Sequence, residues 1–248
     1  MYNNIYLIVC EVIKLITTIL FDLDGTLLPM DQERFVKSYI GRMAAKLAPY
    51  GYAPELLSKA LWAGTGAMVK NSGEISNEEV FWQTFNTVMQ KDCRIDDNLF
   101  MDYYHNEFQL VSQDCGFDPR AAELISWIKA KGYSVVLATN PLFPSIATHS
   151  RAKWAGLNPD DFALITTYEN SCHCKPNPEY YRDILATLNC RPENCLMVGN
   201  DVQEDMIARD LGMQVFLLTD SLINRTGESI DQYPHGSFPE LMTFIQEL

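Results

Sequence analysis

The chain has 248 residues, of which 47% are hydrophobic and 21% charged, enough to bury a large core and too apolar for a disordered segment. A net charge of -13 repels nucleic-acid backbones and anionic lipid surfaces, and no basic patch offsets it, so neither is expected as a partner. Seven cysteines, an odd number scattered from position 10 to 195, fit no disulfide framework and read as reduced cytoplasmic thiols.

In chain order, the apolar start up to Thr17 is broken by Glu11 and Lys14 and lacks a basic leader or small-residue cleavage site. It reads as neither signal nor membrane anchor, and residues 1–14 as a short extension. Residues 15–21 are apolar and rich in β-branched side chains, the pattern of a fully buried strand. That run stops at Asp22 and Asp24, followed by Gly25 and Thr26. Strand side chains alternate faces, so the two aspartates lie on one side of Leu23 and can share a site. Carboxylates that close repel unless a cation or a proton intervenes, and both solutions suit phosphate chemistry. A bare Asp-x-Asp-Gly can also be a polar turn after a strand.

After Leu28 the pattern turns helical, with apolar residues at helical spacing over 32–48, 53–70, 76–90 and 96–112. Ser76 and Glu79 have the spacing of a capping box. Four such helices without strands predict a small bundle, its aromatics mostly core. From Asp118 onward helices (119–131, 144–155, 177–188, 202–211, 239–248) alternate with strands (133–139, 163–167, 195–198, 214–218). The alternation predicts an α/β fold, a parallel sheet covered on both faces, with about five strands and the helical insert after the first.

Ligands bind beyond the carboxyl ends of such strands, and three further ends are equipped. One carries Thr139 and Asn140 before Pro141, a turn starter that could also hold phosphate oxygens. The next carries Lys175, followed by Pro176 and Pro178, which stiffen the approach to a helix; an ammonium there would neutralise a phosphoryl group or the paired aspartates. The last runs Gly199-Asn200-Asp201 to Glu204-Asp205. Asp201 there is an N-cap, a magnesium ligand, or both, with Asp205 its neighbour. Cys172-His173-Cys174 lacks the second ligand pair that a zinc site needs.

Phe-Asp22-Leu-Asp24-Gly-Thr-Leu and the three other stretches, in this order over nearly the whole chain from Thr18, resemble the four motifs of the haloacid dehalogenase superfamily. The resemblance implies a Rossmann-like three-layer core over 15–30 and 118–248, with a helical bundle cap over 31–117. Only about 34 residues separate Asn140 from Lys175, too few for a second insert. That cap position is the one seen in phosphoglycolate phosphatases and β-phosphoglucomutases. By resemblance, Asp22 is nucleophile and metal ligand, and Asp24 the acid/base whose main-chain carbonyl also binds metal. Thr139 and Asn140 form the phosphate clamp, Lys175 neutralises charge, and Asp201 ligates the metal, which is Mg2+. Many members have Asp directly after the glycine where this chain has Asn200, so the duties of Asn200, Asp201 and Asp205 stay open.

The expected activity is that of a cytoplasmic, magnesium-dependent phosphatase, hydrolysing a small phosphorylated metabolite through an aspartyl phosphate. Alternatives on the same fold are a phosphomutase, a phosphonate hydrolase using Lys37, Lys46, Lys59 or Lys70, a haloacid dehalogenase, or a non-catalytic phospho-ligand binder. Asp24 and Asp201 disfavour the dehalogenase. The cap is expected to hinge at 28–31 and 115–118, with Tyr50, Tyr52 and Trp62 as specificity residues.

Overall fold

The computed structural model describes residues 16–248; the expected extension, Cys10 and Leu15 lie outside them. The first strand, β1 (Thr18–Phe21), is buried along its whole length and forms the middle of the sheet. It pairs in parallel with β2 (Ser134–Leu137) on one side and β4 (Cys195–Gly199) on the other. With β3 (Leu164–Ile165), β5 (Gln214–Leu218) and β6 (His235–Gly236), the order is β3-β2-β1-β4-β5-β6, every pairing parallel.

The central strands β1, β2, β4 and β5 are apolar over most of their length because both their faces are covered. Ile19, Phe21, Leu137 and Val198 face a core completed by α5 (Pro119–Ala130), α6 (Ser145–Trp154) and α8 (Phe238–Gln246). Leu20, Val136 and Met197 face the opposite core, closed by α7 (Pro178–Leu188). A two-residue period thus divides one apolar run between two layers.

Between β1 and α5 come α1 (Gln32–Leu47), α2 (Pro54–Val69), α3 (Asn77–Met89) and α4 (Asp97–His105). They enclose their own core around Phe35, Leu57, Phe85, Tyr103 and Phe108. The two strands of chain that connect this helical insert to the sheet pair with each other, through a Met30–Cys115 bridge and a Gly116 N–H donated to Pro29 O at 2.7 Å. Among the described residues no helix is long and apolar enough to cross a membrane.

Several expectations are corrected. The helix expected over 96–112 breaks at Asn106, whose amide donates to Asp102 O and Oδ1, and continues as a 3-10 helix over Glu107–Asp114. Ser76 caps α3, but Glu79 turns to Arg94 at 2.7 Å instead of reaching back, so the box is half made; the full box is Ser237–Glu240, at α8. The helix expected over 202–211 is a side-chain-bonded turn followed by a short 3-10 helix, Met206–Leu211. The sixth strand, β6, is only two residues, His235 and Gly236, and has no apolar pattern to reveal it.

A further tie lies at the start of α3. Asn77, wholly buried, donates its main-chain N–H to Ser171 O at 2.8 Å, accepts from Asn71 Nδ2 at 2.9 Å, and aims its own amide at Pro141 O, His173 O and Cys174 Sγ. Glu78 N–H reaches Tyr168 O at 2.8 Å. The insert is therefore pinned onto the loop that leads to Lys175. Asn77→Ala is expected to destabilise the protein by about 1–3 kcal/mol in urea unfolding, because buried partners lose their hydrogen bonds. A change below about 0.5 kcal/mol would show that this pin carries little.

Candidate active site

The backbone turns sharply after β1. The amides of Thr26, Leu27 and Leu28 all converge on Leu23 O at 2.8–3.1 Å, and Gly25 adopts φ +88°. A Cβ on Gly25 would lie 2.4 Å from Asn200 Nδ2, so glycine is required both by dihedral and by space. Asn200 is the strut of this corner, accepting from Thr26 Oγ1 at 3.0 Å and donating to Ser221 O at 2.7 Å. Asn200 is thus a neutral brace, and the charged side chains of this stretch are Asp201, Glu204 and Asp205.

Beneath the corner Lys175, 1% exposed, donates to Asp22 Oδ1 at 2.9 Å and to Asp205 Oδ1 at 2.7 Å. Burial alone would lower the Lys175 ammonium; Asp205 and Asp22 more than offset it and hold it well above the ordinary lysine value. Burial likewise raises the Asp205 carboxyl, with Lys175 opposing. The second oxygen of Asp205 accepts the Asp201 N–H at 2.9 Å. A Cβ at position 199 would stand 2.0 Å from that oxygen, which is why β4 must end in glycine.

Asp201 Oδ1 accepts the amides of Gln203 and Glu204, both at 3.0 Å, as an N-cap would. Its other oxygen meets Arg225 Nη1 at 2.6 Å. At the end of β2, Thr139 is buried, its carbonyl accepting from Thr166 Oγ1 at 2.6 Å and Tyr180 OH at 2.9 Å. Asn140 donates to Glu204 Oε2 at 3.0 Å, while its own Oδ1 is buried without a hydrogen-bond partner.

Asp24 pairs with Arg151, a guanidinium of α6 that is almost wholly buried and lies 4.4 Å over the Phe143 ring. Burial raises the Asp24 carboxyl and Arg151 pulls it down, burial prevailing. Asp24 Oδ1 is buried and unpartnered, as is Arg151 Nε.

Every expected site residue except Lys175 lines one cleft of about 50 Å³, in the order Asp22, Asp24, Thr139, Asn140, Asp201 and Asp205, joined by Gln32, Asn200, Glu204 and Ile223. Lys175 forms its floor. The charged side chains lining the cleft are all carboxylates, and two oxygens of its lining residues, Asp24 Oδ1 and Asn140 Oδ1, are buried without a hydrogen-bond partner, a donor set that suits a hard divalent cation. The carboxylates are nonetheless held apart. Among the described residues no three His, Cys, Asp or Glu side chains stand close enough to hold one ion, because Asp24 is drawn to Arg151, Asp201 to Arg225, and Asp22 with Asp205 to Lys175.

Arg151, Arg225 and the wall position of Glu204 escaped the sequence reading. Arg151 had a faint signal: it falls on the stripe of Ala147, Thr148 and Ala152, the buried face of α6, where a cation is out of place unless paired. Of the expected specificity residues, Tyr52 is core, its hydroxyl donated to Asp96 at 2.7 Å, whereas Tyr50 and Trp62 are exposed. In the Cys-His-Cys run, Cys174 accepts from Asn77 and His173 pairs with Asp183, so these two side chains serve separate contacts.

A family model described as haloacid dehalogenase-like hydrolase matches residues 16–212. The chain belongs to that family and is a hydrolase. It is 24% identical to the pyrophosphatase PpaX of Bacillus velezensis, over 80% of this chain and 81% of that protein. It is also 24% identical to a phosphoglycolate phosphatase of Colwellia psychrerythraea, over 87% of this chain and 88% of that one. Among solved structures, a 2-haloacid dehalogenase of Pseudomonas syringae shares the fold with a TM-score of 0.62 at 16% identity, covering 94% of this chain and 99% of its own. A HAD phosphatase of Thermococcus onnurineus does so at 0.56 and 20%, covering 93% and 98%.

Gly199→Ala tests the packing of the site. The added methyl must displace the Asp205 carboxylate, and thermal and urea unfolding should report a loss of about 1–3 kcal/mol, the cost of overpacking. Unchanged stability would mean that Asp205 is free to move.

Proposed function

We propose that this hydrolase is a magnesium-dependent phosphatase that cleaves a small phosphomonoester through an aspartyl phosphate on Asp22, with residues 31–117 acting as a cap over the site. The observation that carries the reading is the Lys175 ammonium bonded to both Asp22 and Asp205, in a cleft that Asp24 also lines. Such a floor orients the Asp22 carboxylate and offsets negative charge at the phosphorus it attacks. Relatives named as pyrophosphatase, phosphoglycolate phosphatase, ribulose-1,5-bisphosphate 5-phosphatase and glyceraldehyde 3-phosphate phosphatase differ in substrate but all release phosphate groups, which supports the class and leaves the substrate open.

In this mechanism an Asp22 oxygen forms the bond to phosphorus as the ester oxygen leaves. Asp24, whose proton is favoured by burial, gives it to that oxygen; Arg151 fixes the direction from which it does so. Asp24 then takes a proton from water, whose oxygen attacks the phosphoryl group and frees Asp22 and phosphate. Thr139 and Asn140 hold the phosphoryl oxygens. Asp22, the Asp24 carbonyl and Asp201, with Asp205 behind them, would hold Mg2+, which supplies Lewis-acid screening between the anionic nucleophile and substrate. Six described cysteines are free thiols, consistent with the proposed cytoplasmic location.

Two outcomes test the reading. Asp22→Asn keeps the shape but not the nucleophile, so kcat should fall by about 10³ or more with the circular dichroism spectrum unchanged; near-normal turnover would refute the mechanism. Excess EDTA should abolish phosphate release and magnesium restore it, whereas full activity in EDTA would rule out a metal-dependent phosphatase.

A further inference from the structure

The acidic cleft, at about 50 Å³, has room for a phosphoryl group and little more. A second cavity, of about 170 Å³, lies between the helical insert and the loops that follow β2 and β3. Its wall is almost entirely apolar and aromatic, with Tyr39, Trp82 and Phe100 from the insert and Leu142 and Phe143 from the sheet side; Thr65 and Asp97 are its other polar side chains besides tyrosines. The Tyr39 and Tyr104 hydroxyls satisfy each other at 3.0 Å.

Two elements wall both spaces. Thr139 and Asn140 line the cleft and Leu142 and Phe143 the cavity, within one short loop; Gln32 lines the cleft and Val36, one helical turn along α1, the cavity. Between them Arg151 touches Asp24 with its guanidinium edge and the Phe143 ring with its face. Asp24 is the group that meets the leaving oxygen in the proposed reaction, so the alcohol must lie on the side where Arg151, Phe143 and the cavity follow.

We propose that this cavity is the leaving-group subsite, and that the preferred substrate is a phosphate monoester of an apolar alcohol the size of a single ring. The inference rests on the phosphatase reading. A dry cavity of about 150 Å³ suffices for benzene, so this one holds one ring and not two. A polyhydroxylated sugar would leave hydroxyls without partners against such walls, whereas an aromatic ring finds edge and face contacts on every side. Trp62, 56% exposed, stands at the rim.

The test compares benzyl phosphate with glycerol 1-phosphate, both esters of primary alcohols, and titrates benzyl alcohol alone by calorimetry. The proteins are the wild type, Thr65→Trp, which fills the cavity, and Trp62→Ala, which removes an exposed wall without disturbing the core. Wild type should bind benzyl alcohol and favour benzyl phosphate in kcat/KM by about tenfold or more. Thr65→Trp should cut that ratio by about tenfold and Trp62→Ala by about threefold; should Thr65→Trp not fold, Trp62→Ala carries the result. Absence of benzyl alcohol binding, or a ratio that Trp62→Ala leaves unchanged, overturns the subsite while phosphate release from either ester leaves the phosphatase reading standing. Benzyl alcohol binding with no phosphomonoester hydrolysed overturns the phosphatase reading and the subsite with it.

Discussion

Lys175 Nζ lies 2.9 Å from Asp22 and 2.7 Å from Asp205; the Lys175 and Asp205 side chains are almost unexposed, and Asp22 keeps one edge toward the cleft. Taking such charged groups out of water costs several kcal/mol each, so this contact is a poor way to stabilise a fold; what it does is fix in place the Asp22 carboxylate, the proposed nucleophile. Much of the surrounding structure follows from making it possible. β4 must end in a glycine, because Asp205 takes the space of a side chain there. Tyr180 and Tyr181 of α7 pack beside the ammonium and use their hydroxyls to fix Thr139 O and Glu204 O. Asn200 braces the corner that carries Asp22 and Asp24 against the loop at Ser221.

Around that floor the charges are shared out pairwise. Arg151 takes Asp24 and Arg225 takes Asp201, so five carboxylates in and beside one small cleft are kept from acting on each other unscreened. The two arginines differ in setting. Arg151 is buried between Asp24 and the Phe143 ring, whereas Arg225 is half exposed. If Asp201 ligates the proposed Mg2+, the Arg225 side chain, half exposed, has room to withdraw into solvent.

Five of the six strands were legible because each is a short apolar run bounded by turn residues, and β5 (Gln214–Leu218) has the expected bounds to the residue; β6, a histidine and a glycine, carries no such run. The site aspartates and Lys175 were legible because each stands at the carboxyl end of a strand, where the parallel sheet brings sequence-distant ends together. What stayed hidden depends on partners far along the chain. Arg151 looks like one base among several in α6 until Asp24, 127 positions earlier, is seen against it; Arg225 looks like a loop charge. The false helix over 202–211 has a local cause: Asp201 and Asp205 satisfy the first-turn amides through their side chains, a cap pattern that reads the same whether or not a helix follows. Tyr52 and Trp62 were both large aromatics with nothing local to separate them, and only tertiary packing buries Tyr52, just ahead of α2, and leaves Trp62 of α2 exposed at a rim.

The central claim is that Asp22, held by Lys175, becomes covalently phosphorylated. The most direct measurement uses Asp24→Asn protein with magnesium and 4-nitrophenyl phosphate, whose leaving group needs no proton, quenched in acid and digested for mass spectrometry. The account predicts one phosphoryl group on the peptide containing Asp22, absent when Asp22 is also changed to Asn. Release of 4-nitrophenol with no phosphorylated peptide, or with the group on another residue, would contradict it.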